Sequence, residues 1–176
     1  MNEKQKVEVV SIRLVKEAPL YSAKEVHTIT DALEVIQKEL ATYDREIMGI
    51  LALKTNGQVI HFYLASVGSL NAALIEPREI FKSAILANAA SILAIHNHPS
   101  GTIHPSREDL VVTKRLLACG ELLGIPLLDH VIVGGSTGCS YSFQEHGLLD
   151  SHLLQTYDEQ RVVEKKTRES KPTPRM

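Results

Sequence analysis

The sequence predicts an α/β or α+β fold, with a mixed, mainly antiparallel β-sheet flanked by helices. Three observations carry this. Short apolar or β-branched runs recur along the chain, at 7–14, 46–53, 59–65, 91–96 and 127–133. Two of them flank Asn56-Gly57, the signature of a hairpin turn. Stretches with apolar residues at three-to-four spacing lie between the others and read as helices packed on the sheet.

The elements follow in order. Val7 to Leu14 (VEVVSIRL) reads as a strand, closed off by Pro19. Thr28 or Thr30 caps a helix reaching Ala41, with Ala32, Leu33, Ile36 and Leu40 on its apolar face. Glu46 to Leu53 (EIMGILAL) is a strongly apolar strand. Asn56-Gly57 then predicts a type I′ turn, which needs positive φ at both central residues, and Val59 to Ala65 returns as the partner strand. Val67 to Asn71 is a loop. Pro77 suits the first turn of a helix presenting Ile80, Phe81, Ala84 and Ile85 on one face. Ser91 to His96 is a buried central strand. Pro99, Gly101 and Pro105 make 97–105 a loop, followed by a long helix from Arg107 to Leu123 that ends at Gly124. Leu127 to Val133 is a further strand, and Ser140 to Phe143 a short last one. From Tyr157 onward mixed charges replace apolar residues, and Pro172 and Pro174 interrupt the end. This stretch reads as a solvated, disordered tail.

Composition excludes several classes. The chain of 176 residues is 44% hydrophobic, enough for one ordinary domain with a sizeable core, built from aliphatic residues because Trp is lacking. A net charge of −2 is not the footprint of a nucleic-acid-binding domain. The two cysteines, Cys119 and Cys139, lie far apart and form no metal- or redox-type pair, and Cys119 sits in an apolar helical run as a buried free thiol would. No apolar stretch is long enough to span a membrane, and the first residues carry no apolar core of a signal peptide. A cytoplasmic protein without a membrane partner is expected.

The chemistry concentrates in His96-Asn97-His98-Pro99-Ser100-Gly101-Thr102-Ile103-His104-Pro105-Ser106-Arg107-Glu108-Asp109. His96 and His98 are separated by one residue at a strand end, so period-two geometry sends both imidazoles to one face. Asp109 falls in the first turn of the following helix, from which the loop can bring a carboxylate back to the histidines. Two His and one carboxylate leave a fourth tetrahedral position open to water, the arrangement of a catalytic zinc site. Bound Zn2+ lowers the pKa of such a water to about 7. Ser106-x-x-Asp109 also resembles a capping box. The cap and the ligand set support each other, because a capped helix start holds Asp109 in place.

These residues resemble a known pattern. His96-x-His98, seven residues, then Ser106-x-x-Asp109, with Glu46 upstream on a strand, is similar to the JAMM (MPN-plus) metalloprotease motif. The blocks Asn71-Ala72-Ala73, Pro77 to Lys82, His96 to Gly101, Pro105 to Asp109 and Leu128 to Gly134 resemble the bacterial RadC family in the same order, over Tyr43 to Gly147. The resemblance implies a JAMM/MPN (cytidine-deaminase-like) sandwich with zinc ligands His96, His98 and Asp109. It makes Glu46 the general base and proton shuttle and Ser106 a hydroxyl that stabilises an oxyanion. Glu46 has independent support: it opens an apolar strand, where an unpartnered carboxylate is costly. On this reading residues 1–42 are a strand and helix leading into the core, 43–150 the metal domain and 151–176 the tail.

The function implied is hydrolysis of a peptide or isopeptide bond in an unidentified protein or peptide substrate. The competing expectation, carried by the RadC name, is a DNA repair or recombination accessory protein that binds nucleic acid. Against it stand the charge and the lack of a counterpart, before Tyr43, to the DNA-binding region of longer family members. A third option, a metal-free MPN binding module, conflicts with the intact ligand set. Asn97 is expected to rigidify the loop, His104 to be a solvated loop residue, Ser100 to bond within its turn and His130 to be a satisfied buried histidine. An exposed hairpin edge over Leu53 to Phe62 is compatible with a dimer.

Overall fold

Strand β1, Ile47–Leu53, is buried at every position. Its neighbours explain why. In the computed structural model, which describes residue 14, residues 29–68 and residues 76–150, helices cover both faces of the sheet. Apart from Leu14, the expected strand at 7–14, the block 71–73 and the charged tail lie outside the described residues. Helix α1 spans Ile29–Leu40 and strand β2 Val59–Val67. Helix α2 (Pro77–Leu86), strand β3 (Ser91–Asn97), helix α3 (Arg107–Leu123), strand β4 (Leu127–Val133) and strand β5 (Ser140–Ser142) complete the order.

The sheet runs β2-β1-β3-β4-β5. All pairings are antiparallel except β3–β4, which α3 connects as a crossover. This is the mixed, mainly antiparallel α+β architecture that the sequence predicts. Alternation sorts the core. Ile47, Leu51 and Leu53 of β1, Leu93 and Ile95 of β3 and Val131 and Val133 of β4 pack with Ala32, Ile36 and Leu40 of α1. Met48, Ile50, Ala52, Ile92 and Ala94 face the other way, onto Ile80, Phe81 and Ala84 of α2 and Leu116 of α3. Removing one of the fully buried aliphatic side chains to alanine costs about 2–5 kcal/mol.

Several details depart from the sequence reading. β1 begins at Ile47, so Glu46 precedes the strand. The hairpin turn is not type I′: among its residues only Gly57 has positive φ (79°). Gly57 N–H bonds Lys54 O at 2.9 Å, and Lys54 N–H bonds Gln58 O at 2.9 Å. That is the pattern of a type I turn followed by a left-handed glycine, with Asn56 Oδ1 accepting from Gln58 N–H at 3.1 Å. On α2 the buried stripe is Ile80, Phe81, Ser83 and Ala84; Ile85 lies just past the covered face and is 50% exposed. Cys119 is a half-buried free thiol and Cys139 an exposed one. No helix among the described residues is long and apolar enough to cross a membrane.

The register between β3 and β4 is irregular at one point. Ile92 pairs with Leu127 but Leu93 pairs with Asp129, so Leu128 is an extra residue in β4. A one-residue slip reverses the facing of everything beyond it. It turns His130 and Ile132 to the α3 side of the sheet, where Ile132 meets Leu110.

Gly120 shows how tightly α3 is seated. A Cβ there would lie 2.7 Å from the Ile125 carbonyl oxygen. Alanine at a helical glycine normally adds about 1 kcal/mol of stability. Here the backbone contact reverses the sign: Gly120→Ala is expected to destabilise the fold by about 1–3 kcal/mol, measured as a lower midpoint in thermal or urea unfolding.

Candidate metal centre

The site forms where β3 ends beside the start of α3. His96 occupies the position after Ala94 on the α3 side of the sheet, while Asn97 turns to the opposite side. His98 follows directly, its N–H bonded to Val133 O at 2.8 Å. The loop carrying it packs against the turn after β4, where a Cβ on Gly134 would meet Ile103 at 2.6 Å and Gly101 O at 2.8 Å. On α3, Asp109, Thr113, Leu116 and Gly120 form one buried stripe. Its polar end faces the two histidines and its apolar end the core.

Ser106 caps α3 as expected. Its hydroxyl oxygen accepts from Asp109 N–H at 3.1 Å, and its own N–H donates to Asp109 Oδ2 at 2.6 Å. The Ser106 hydroxyl donates to the same Oδ2 at 2.6 Å. The capped carboxylate reaches both histidines. Oδ1 lies 3.1 Å from His96 Nε2, Oδ2 lies 3.3 Å from His98 Nε2, and the two Nε2 atoms are 2.9 Å apart. One donor atom from each of these buried residues thus lies within 4.8 Å of the others. Donors sharing one tetrahedral zinc, at bond lengths of about 2.0–2.2 Å, sit roughly 3.3 Å apart. The observed spacing and the two-nitrogen, one-oxygen donor set fit such an ion.

Electrostatics agree. Burial alone pushes the Asp109 carboxyl up, but hydrogen bonds from His96 and His98, while their Nε2 atoms carry protons, and from Ser106 outweigh it and hold the group well below the usual carboxylate range. For His98, burial lowers the pKa, yet the Asp109 carboxylate, the Thr102 carbonyl and the charge of Glu46 together raise it above its ordinary 6.5. His98 Nδ1 lies 2.7 Å from Thr102 O. A carbonyl only accepts, so Nδ1 carries a proton and Nε2 is the nitrogen left to ligate. Burial holds His130 far below its ordinary value, as a neutral ring.

Glu46 is brought to the same place. Met48 pairs with His96 at the end of the β1–β3 ladder, and Glu46 lies two residues before Met48, at the same end of the sheet as His98. Its influence on the His98 proton reflects this. Asn97 accounts for the position. Its Oδ1 accepts from Ile47 N–H at 2.7 Å and its amide donates to Arg45 O at 3.1 Å, so one side chain clamps the backbone on both sides of Glu46. The sequence reading assigned Asn97 to its own loop; the clamp instead reaches across to the chain before β1. His104 lies exposed on the loop. Ser100 Oγ accepts from Thr102 N–H at 3.4 Å, within the turn. Thr113 went unnoticed in the sequence, although its spacing of four from Asp109 places both on one helix face.

Fold and site together define an α+β domain with a buried His-His-Asp group at a strand end. Residues 26–148 match the RadC-like JAB domain, and the chain belongs to that family. The match takes in α1 as well as the stretch that carried the sequence resemblance. Among curated relatives, a UPF0758 protein of Clostridium acetobutylicum is 42% identical over 139 residues, 77% of this chain and 60% of the relative. UPF0758 proteins of Geobacillus thermodenitrificans and Rubrobacter xylanophilus are 47% and 46% identical over 104 and 115 residues, covering 59% and 65% of this chain and 46% and 49% of theirs. The chain spans about half the length of the curated relatives it matches. Family and buried triad are compatible with a metal-dependent hydrolase.

Two outcomes are expected. Asn97→Ala leaves Ile47 N–H buried without its acceptor and costs about 1–3 kcal/mol, read by denaturant unfolding. A metal ion bound here must displace the proton that His98 holds more tightly than usual, so affinity for Zn2+, used as the probe, is expected to fall as pH drops, beginning above 6.5. Calorimetry in buffers of differing ionisation enthalpy then shows proton release on binding. Affinity that is flat between pH 5 and 8 would contradict this.

Proposed function

We propose that this domain is a zinc-dependent hydrolase that cleaves an amide bond, of peptide or isopeptide type, in a protein or peptide substrate. The observation that carries the reading is the convergence of His96, His98 and Asp109, with the charge of Glu46 close enough to act on the His98 ring. His96 and His98 offer Nε2 and Asp109 a carboxylate oxygen. When bound, zinc supplies Lewis acidity, acidifying an attacking water and polarising the scissile carbonyl.

The chain's own groups do the rest. Glu46 takes a proton from the attacking water as the oxygen–carbon bond forms, and returns it to the amine nitrogen as the carbon–nitrogen bond breaks. A carboxylic acid and an amine leave. Asp109 keeps its orientation because Ser106 binds it from both backbone and hydroxyl. Ser106 hydroxyl hydrogen points at Asp109 Oδ2, so donation to a developing oxyanion requires that hydrogen to turn from the carboxylate towards the substrate.

Metal analysis and a cleavage screen over peptide, isopeptide and nucleic-acid substrates test the proposal. His96→Ala is expected to abolish stoichiometric zinc. Glu46→Gln is expected to keep zinc and reduce turnover by about 10²–10⁴-fold. Full activity in Glu46→Gln, or a protein that takes up iron but never zinc, would sink the reading.

A further inference from the structure

We propose that His130 and Thr113 form a directed hydrogen-bond relay that fixes which nitrogen of His96 is presented to the metal, making both of them positioning residues of this centre. The inference rests on the metal reading above and deepens it.

The polarity of the relay is set at its far end. Thr113 Oγ1 lies 2.6 Å from the main-chain carbonyl oxygen of Asp109. That oxygen can only accept, so the single hydroxyl hydrogen is committed there. Oγ1 also lies 2.6 Å from His130 Nδ1, and with its hydrogen in use it must accept. His130 therefore donates through Nδ1. A neutral ring with its proton on Nδ1 has a lone pair on Nε2, which lies 2.8 Å from His96 Nδ1. His96 then donates through Nδ1, and its Nε2 keeps the lone pair that faces His98 and Asp109. The opposite polarity places a hydrogen on His130 Nε2 and the proton of His96 on Nε2, which removes that nitrogen as a ligand.

Nothing in the packing asks for polar groups here. His130 and Thr113 are both 0% exposed, and the His130 ring stacks on Phe143 at 4.8 Å and 17°. A buried imidazole and hydroxyl are costly unless each bond is made, and here each one is. The relay also joins elements: it begins on β3, crosses to β4 and ends on the backbone of Asp109 in α3. The extra residue Leu128 makes it feasible, because without that slip His130 would face α1.

Long-range proton–nitrogen correlation of the full chain, with and without zinc, reads the protonated nitrogen of each ring. The expected pattern is His130 protonated on Nδ1 alone and His96 protonated on Nδ1 in the zinc-loaded protein. A proton on His130 Nε2 overturns the relay. Zinc dissociation constants from chelator competition supply the second readout. Thr113→Val, which keeps the shape, is expected to weaken zinc about 10-fold, and His130→Phe about 10–100-fold. His130→Gln should recover most of the loss, because its Oε1 can accept from His96 Nδ1–H. Unchanged affinity in Thr113→Val and His130→Phe overturns the proposal. If the phenylalanine variant does not fold, Thr113→Val and the ring spectrum decide. A wild-type chain that binds no zinc defeats the metal reading alone, and the spectrum of the metal-free protein then judges the relay.

Discussion

A buried carboxylate at the start of α3 is the constraint on which the rest of the site depends. Asp109 is 8% exposed and ionised. Such a group persists in a protein interior only when its oxygens are bonded from several directions. Ser106 supplies a backbone and a hydroxyl donor, and His96 and His98 supply the facing nitrogens. Meeting these needs together fixes where the helix begins, how far it stands from β3 and which way the imidazoles turn. The helix start also offers a positive dipole end to the carboxylate, a smaller favourable contribution of about 0.3–1 kcal/mol.

Local features were the most legible in the sequence. Both ends of α3 are written in residues, Ser106 at the cap and Gly124 in the left-handed position after the last turn (φ 67°). The metal triad was readable because strand periodicity and a helix start fix His96, His98 and Asp109 from neighbouring residues alone. The Asn56-Gly57 turn was misjudged for the same local reason. That dipeptide serves a two-residue turn and a three-residue turn with a left-handed glycine equally well, and the pairing of Lys54 with Gln58 chooses between them. What depended on distant strands was not legible. No local signal announces the extra residue in β4, the reach of Asn97 to the chain before β1, or the meeting of His130 with His96.

The same contrast separates roles within the site. The candidate ligands come from ordered termini of a strand and a helix, and the groups that hold them lie on elements packed into the two apolar layers. Precision of this kind is what a metal site requires, since donors must stay within tenths of an ångström of their places. By contrast, the loop residues His104 and Ser100 lie towards solvent, and Ser100 reaches the centre only through Thr102, whose carbonyl faces His98. The chain spans about half the length of the curated relatives it matches, and the centre is built wholly within that shared stretch.

The Asn97 clamp carries a consequence for the order in which the protein comes together. Ile47 and Asn97 are 50 residues apart, and the hairpin and α2 lie between them. Asp109, Thr113 and His130 come later still. The three donors lie between residues 96 and 109, but the groups that hold them, the chain before β1 and His130 on β4, come from far along the sequence, so the fully oriented centre requires the β1–β3 pairing and β4 in place. During synthesis both histidines emerge ahead of Asp109, and a cation captured by them alone would find neither the carboxylate nor the neighbour that orients His96. The orientation of the centre is therefore tied to a closed sheet, although its donors are neighbours in the chain.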